Sequence, residues 1–184
     1  MANKTKYKLS QAVLRLLNRE TLDKITVGDI AKEAGVSRKT FYYHFHDIYD
    51  LLEWMFDQER LRLTPIEPVP GAWEDTLKGL LQFCLDNRTA VLNLYHSLER
   101  SGLERYTGSV IRSGITHFSI IRFDEALRKS SRFAIVLDFY TYGLQGLLLG
   151  WIEKGMPGDA GRILADVNEI LAQVSCPFCK SDTH

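Results

Sequence analysis

The chain has 184 residues, 45% of them hydrophobic, and its 23 Lys and Arg balance its 23 Asp and Glu. A compact chain of this length buries about 70% of its unfolded surface, so its core needs no disulfides. Three cysteines, an odd number, also argue against a disulfide scaffold. No N-terminal apolar run has the length of a signal peptide, and the longest uncharged stretch, residues 139–152, is short for a membrane span. We therefore expect a cytoplasmic protein without membrane association.

The zero net charge hides an uneven distribution along the chain. Residues 1–45 carry nine Lys or Arg and four Asp or Glu, a net charge of +5, so the remainder carries −5. Because salt screens charges over about 10 Å, a basic N-terminal region attracts DNA even in a neutral molecule. Lys4, Lys6 and Lys8 precede the first predicted helix, where an arm could follow the DNA backbone. The alternative is chance clustering of lysines.

The first three predicted helices form a helix-turn-helix domain. Apolar residues recur at helical spacing over residues 8–19, which predicts an amphipathic supporting helix. In the next segment Thr26 is a candidate N-cap with Asp29 three residues on, and Gly35 permits a left-handed turn. Ser37 then caps a second helix almost at once, which leaves the tight turn of a helix-turn-helix.

The second helix of this motif presents a polar face. Arg38 and Lys39 occupy its first turn, where the helix dipole normally favours acids, so an external anion such as phosphate would complete the site. At 100° per residue Phe41 and Phe45 point to one side and Lys39 and Tyr43 to the other. Such a face suits the DNA major groove, and the alternative is a solvated helix face. The predicted DNA-binding residues are Thr26, Ser37, Arg38, Lys39, Thr40, Tyr42, Tyr43 and His44.

Residues 26–31 and 35–45, with the sequences TVGDIA and GVSRKTFYYHF, closely resemble the DNA-binding domain of TetR-family transcriptional regulators. The resemblance covers residues 8–56. It implies an all-helical homodimer, with a larger C-terminal domain that senses a ligand or a protein partner. On this basis we expect a transcriptional regulator that binds double-stranded DNA at a pseudo-palindromic operator. We expect this regulator to be a repressor.

One position departs from the family pattern. The lysine that usually follows the Tyr-His-Phe signature, three residues beyond the phenylalanine, is replaced by Ile48. A contact with a backbone phosphate is therefore in question. Members that resemble the dihydroxyacetone-kinase operon activators act through a partner protein, and residues 49–54 resemble that branch. The alternative function is a partner-binding coregulator with weak or no DNA binding of its own.

The rest of the chain is predicted to be helical, with its main break at Pro65, Pro68 and Pro70. A connecting helix starts at Asp47, and further helices are predicted over residues 72–86, 88–100, 103–129, 132–154 and 159–174. The predicted architecture is all-α: a three-helix DNA-binding domain followed by a larger regulatory domain. The predicted division is residues 1–46 for DNA binding, 47–70 for connection, 71–175 for regulation and dimerisation, and 176–184 for a tail.

The last two predicted helices are candidates for the dimer interface. Residues 132–154 are apolar almost all round, so the chain itself or a second copy must cover them. Their glycines would allow close helix approach, either between two copies or within one. The predicted interface residues are Gly143, Gly146, Leu148, Gly150, Leu164, Val167 and Ile170.

Other chemical signals are weaker. His117, Asp138 and Tyr142 could orient an effector in a pocket of the larger domain, although ordinary structural roles are commoner for such residues. Cys176 and Cys179 form a C-x-x-C motif without a second pair, and a free-thiol tail explains them better than a metal or redox site. No nucleophile motif appears, and no predicted helix carries a metal-ligand spacing. We therefore predict a protein without a metal or cofactor that is not an enzyme.

Overall fold

The computed structural model describes residues 2–64, 72–97, 100–122 and 125–173. Within these ranges the chain forms α-helices and one short 3-10 helix, and no strand, which confirms the all-α prediction. The α-helices are α1 (Ala2–Leu17), α2 (Val27–Ala34), α3 (Arg38–His44), α4 (Ile48–Leu63), α5 (Ala72–Asp86), α6 (Arg88–Tyr95), α7 (Arg100–Arg122), α8 (Glu125–Arg128), α9 (Phe133–Glu153) and α10 (Ala160–Gln173).

The first helix begins at Ala2, well before the predicted start, so the predicted arm of Lys4, Lys6 and Lys8 is wrong. All three lysines lie on α1. The first turns of α1 are held against the rest of the domain by aromatic contacts: Lys6 Nζ lies 5.0 Å from the ring centroid of Phe45 and 5.6 Å from that of Trp54. Cation–π contacts of this kind stabilise a helical start where the sequence pattern alone predicts coil.

The main hydrophobic core runs from α1 to α10 without a break between the two predicted domains, and Leu127 and Val136 form a second, small cluster. Helix α1 packs on α2 and α4 and also on α6 of the larger region. There the Asn93 side chain donates a hydrogen bond of 2.7 Å to the Leu17 carbonyl. The region of α1 to α3 is therefore attached to the larger region through side-chain packing as well as through α4. The predicted domain division stays a prediction, and the segment 65–71 and the tail lie outside the described residues.

The larger region departs from the predicted helices at two places. The helix predicted over residues 88–100 ends at Tyr95, and the single helix predicted over residues 103–129 is observed as α7 and α8. Helix α7 is central, because it packs on α4, α5 and α9, while α10 packs on α5.

Helix α9 is covered on one side only. Its buried residues are Val136, Leu137, Thr141, Leu148, Trp151 and Ile152. In the described part of the chain, α9 is the helix long and apolar enough to span a membrane, by length and composition alone. The core helix of a soluble protein meets the same criterion, so this property does not identify a membrane span. Within the single chain α9 is therefore covered only in part, a large apolar face remains open, and its cover by a second copy stays a prediction.

Candidate nucleic-acid interface

The helix-turn-helix is held by the caps that its sequence predicts. The Thr26 hydroxyl accepts a hydrogen bond from the Asp29 amide at 3.2 Å, and the Asp29 carboxylate accepts one from the Thr26 amide at 3.0 Å. These reciprocal bonds satisfy two of the free N–H groups at the start of α2. Gly35 ends α2 in the left-handed conformation, with φ 68° and ψ 37°, which glycine adopts without steric cost. The turn between α2 and α3 is therefore fixed locally.

Ser37 caps α3, the second helix of the helix-turn-helix. Its hydroxyl accepts a hydrogen bond of 3.0 Å from the Thr40 amide and lies 2.9 Å from the Thr40 hydroxyl. The cap leaves Arg38 and Lys39 in the first turn with exposed side chains. Both predicted cations are therefore available at the start of α3.

The two faces of α3 differ as predicted. Phe41 and Phe45 are buried in the core, with rings 6.0 Å apart. On the opposite side Tyr43 is 82% exposed and Tyr42 58% exposed, and Lys39 is exposed beside them. His44 is half-buried, with its ring 5.0 Å from that of Tyr43. A tyrosine with most of its surface in water, on a helix anchored by two buried phenylalanines, is placed to contact another molecule.

Other cations of the basic region are engaged within the fold. Arg15 lies 2.7 Å and Arg19 3.5 Å from the carboxylate of Glu33, so these ion pairs tie α1 to the end of α2. The hydrogen bond from Arg15 lowers the pKa of Glu33 below its ordinary value. The count of nine cations in residues 1–45 therefore overstates the number of cations that are free to meet DNA.

Arg38 lies in a position that the sequence pattern did not predict. Its guanidinium lies over Gly28, in the first turn of α2, where a Cβ atom on residue 28 would lie 2.9 Å from Arg38 Cζ. The hydrogen bonds from Thr26 lower the pKa of Asp29, and the nearby charge of Arg38 lowers it further. Sequence analysis assigned Gly28 no role, because the contact joins residues on two different helices.

Ile48, at the start of α4, is half-buried and packs against the hydrophobic core. The family pattern has a lysine at this position, whereas this chain has a side chain that packs against the core. Asp47 caps α4 by accepting a hydrogen bond of 2.9 Å from the Asp50 amide.

Three predicted interface glycines lie on the open side of α9. A Cβ atom added at Gly143, Gly146 or Gly150 would meet nothing within 4 Å. Beside them stand large exposed apolar side chains, among which Phe139 is 74% exposed and Ile135 69% exposed. We call this surface the α9 face, and it consists of Ile135, Phe139, Tyr142, Gly143, Gly146, Leu147 and Gly150.

The other predicted interface residues lie elsewhere. Leu148 and Val167 are buried in the core of the single chain, and Leu164 is partly buried against the same core. Their side chains point into the core because α9 packs on α7 and α10 packs on α5. These helix contacts use the same apolar side chains that the sequence pattern marks. Leu148 and Val167 are therefore removed from the predicted dimer surface, while the assignments of Leu164 and of Ile170, whose side chain lies outside the described part of the structure, stay predictions.

The predicted effector residues lie on α7 and α9. Asp138 forms an ion pair with Arg112 across α7 and α9, and Tyr142 is exposed on α9 beside that pair. His117 lies further along α7, with its Nδ1 atom buried and without a hydrogen-bond partner among the described residues. No group of three His, Cys, Asp or Glu in the described ranges could hold a metal ion.

A different cavity opens between α4, α6 and α7. Its volume is about 210 Å³, and its walls are Tyr49, Leu52, Glu53, Phe56, Asp57, Arg60, Leu94, Gly102, Arg105, Tyr106 and Ser109. The rings of Phe56 and Tyr106 stack at 4.7 Å along it. Sequence analysis missed this cavity because its lining comes from three helices that are distant in the chain.

Two family models match different parts of the chain. The family model of bacterial regulatory proteins of the tetR family matches residues 10–55. A model described as the transcriptional regulator C-terminal region matches residues 71–173.

Two relatives align over much of the chain. The HTH-type transcriptional regulator AcrR of Shigella flexneri is 30% identical, with 98% of this chain and 94% of AcrR aligned. The HTH-type dhaKLM operon transcriptional activator DhaS of Lactococcus lactis subsp. lactis (strain IL1403) is 24% identical over 66% of this chain. That match spans 57% of DhaS, little more than half of its length.

Solved structures share the fold at low identity. The dihydroxyacetone kinase operon activator DhaS superposes with a TM-score of 0.70 at 18% identity, covering 92% of this chain and 96% of DhaS. A tetR-family transcriptional regulator from Streptomyces coelicolor gives a TM-score of 0.60 at 17% identity, with coverages of 91% and 81%. NalD, the secondary repressor of the MexAB-OprM multidrug efflux pump in Pseudomonas aeruginosa, gives 0.55 at 17% identity, with coverages of 94% and 96%.

Proposed function

Because the chain belongs to the TetR family of bacterial regulatory proteins, and so is a DNA-binding transcriptional regulator, we propose that it represses transcription as a cytoplasmic homodimer on a pseudo-palindromic operator. The observation that carries this proposal is the exposed face of α3. Lys39, Tyr42 and Tyr43 stand in water there, on a helix held by buried phenylalanines. Lysine pairs with guanine acceptors in the major groove, and tyrosine contacts thymine methyls or phosphates.

The α9 face supports the dimeric part of the proposal. A two-fold operator requires two recognition helices about 34–36 Å apart, which one chain cannot supply. The α9 face is continuous and apolar, and its glycines leave room for a second helix to approach closely. We assign it to the contact with a second copy of the chain, in place of Leu148 and Val167. The same burial would account for the apolar character of α9.

The cavity between α4, α6 and α7 is the site we propose for modulation. It lies where the helix that continues from the DNA-binding region meets the larger region. An effector that fills it would shift α4 relative to α7, and the shift would change the spacing of the two recognition helices.

A partner-binding coregulator is the second candidate function, and the packing of Ile48 favours it. A half-buried isoleucine at this position removes one cation from the surface that would meet DNA. In that case a protein partner would supply the affinity for DNA that the chain lacks.

A gel shift separates the two functions. The purified full chain is mixed with DNA from its own upstream intergenic region, with random DNA in excess as competitor. We expect specific retention by the parent chain without a partner. Lys39→Ala should change the preference at one base pair by about 1–3 kcal/mol, and His44→Ala should weaken binding to all sequences alike.

Lys78→Ala is the matched control, because Lys78 is an exposed lysine on α5, outside the α3 face. It should bind as the parent does. Absence of specific retention by the parent at moderate salt would favour the coregulator.

A further inference from the structure

Gly28 and Arg38 meet at the point where α2 and α3 begin. Gly28 is the second residue of α2, and Arg38 is the first residue of α3. The Arg38 guanidinium occupies the space beside Gly28 that a side chain would take. A Cβ atom there would lie 2.9 Å from Arg38 Cζ and 2.9 Å from Arg38 Nε. Residue 28 can therefore carry a side chain only if the guanidinium moves away.

The fold itself does not require glycine at this position. Gly28 has no positive φ, and the atoms that a Cβ would meet belong to the end of a flexible side chain rather than to backbone. Alanine favours a helix more than glycine does. The consequence of a side chain at residue 28 is therefore the displacement of Arg38 and not a loss of helix.

Arg38 carries a charge that the described part of the chain leaves unpaired. It forms no ion pair there, unlike Arg15 and Arg19. Asp29 is close, but its carboxylate is bound to Thr26, through the amide at 3.0 Å and the hydroxyl at 2.5 Å. The guanidinium thus stays exposed at the edge of the α3 face with its donors available.

We propose that Gly28 is a positioning residue whose missing side chain leaves room for Arg38 over the start of α2, where the guanidinium binds a DNA backbone phosphate. This inference rests on the proposed function, since it requires the chain to bind DNA directly. Phosphate is the expected partner because Arg38 lies toward α2, to the side of the Lys39 and Tyr43 face that would meet the bases. The planar guanidinium binds phosphate oxygens with two parallel hydrogen bonds.

The test is a salt titration of DNA binding with four full-length proteins: the parent, Gly28→Ala, Arg38→Ala and the double variant. Affinity is measured on operator and on random DNA. Each neutralised phosphate contributes about 0.9 to the slope of log affinity against log salt, so a dimer should lose about 1.8. Gly28→Ala and Arg38→Ala should each show this loss on both DNAs, and the double variant should be no weaker than Arg38→Ala alone.

The matched control is Gly161→Ala, at the second residue of α10, where a Cβ atom meets the Asp159 side chain at 3.3 Å. Gly161→Ala should bind DNA as the parent does. The melting temperature of Gly28→Ala should not fall below that of the parent. Parental slope and affinity in Gly28→Ala would overturn the inference. Additive losses in the double variant would also overturn it, because Gly28 would then act independently of Arg38. If the parent does not bind DNA, the proposed function fails first.

Discussion

Helices α3 and α9 both bury one face and leave aromatic residues in water on the other, yet the exposed surfaces differ in chemistry. On α3 the exposed Tyr42 and Tyr43 stand beside Lys39 and Arg38. On α9 the exposed Phe139 stands among aliphatic side chains and glycines. An exposed aromatic group among cations suits a polyanion, whereas one among apolar groups suits another protein surface. The neighbours of an exposed ring therefore indicate which partner it meets.

Glycine also has different uses on the two surfaces. Gly143, Gly146 and Gly150 face empty space, which a second helix can fill. Gly28 faces space that is already filled by Arg38. A substitution at the first group is expected to affect assembly, and one at Gly28 to affect the contact with DNA.

The largest effect is expected from a charge on the α9 face. Phe139→Arg would place an unpaired charge where two copies meet, so we expect monomers by light scattering, with helical content retained in circular dichroism. Operator affinity should also fall, because binding to a two-fold operator requires the dimer. Leu61→Arg, at an exposed leucine of α4, serves as control and should leave the dimer intact. Persistence of the dimer in Phe139→Arg would move the interface away from this face.

A smaller effect is expected on the α3 face. Tyr43→Ala should leave the free energy of unfolding within about 0.5 kcal/mol of the parent value in urea titrations, because the side chain is 82% exposed. It should reduce operator affinity by about 1–3 kcal/mol in quantitative gel shifts. Tyr7→Ala, at a half-exposed tyrosine of α1, is the comparison variant. Unchanged operator affinity in Tyr43→Ala would show that the α3 face does not meet DNA through this residue.

The smallest effect is expected at Ile48. A lysine that met phosphate in each subunit would steepen the salt dependence of a dimer by about 1.8. Because Ile48 packs against the core, we expect Ile48→Lys to leave the slope unchanged and to lower the free energy of unfolding slightly. A steeper slope in the salt titration would show that a lysine at residue 48 makes the phosphate contact of the family pattern.

Much of the local geometry of the candidate DNA-binding site could be predicted because its signals are local. The cap of Thr26 and Asp29, the turn at Gly35 and the opposite faces of Phe41 and Tyr43 each depend on residues a few positions apart. Which predicted interface residues stay exposed could be predicted only in part, since periodicity marks apolar residues without separating those that face their own chain. Gly143 and Gly146 remain open, while Leu148 is buried inside.

The sequence by itself determined the all-helical class, the helix-turn-helix and the polarity of α3, because hydrogen-bonded turns, caps and helical periodicity act over one or two turns of chain. Tertiary structure alone decided that the start of α1 folds onto Phe45 and Trp54, that Arg38 lies over Gly28, and that α4, α6 and α7 enclose a cavity. Each of these features joins side chains from separate helices. Their contacts depend on how the helices pack, and packing is set by the shape of the whole core rather than by any local pattern.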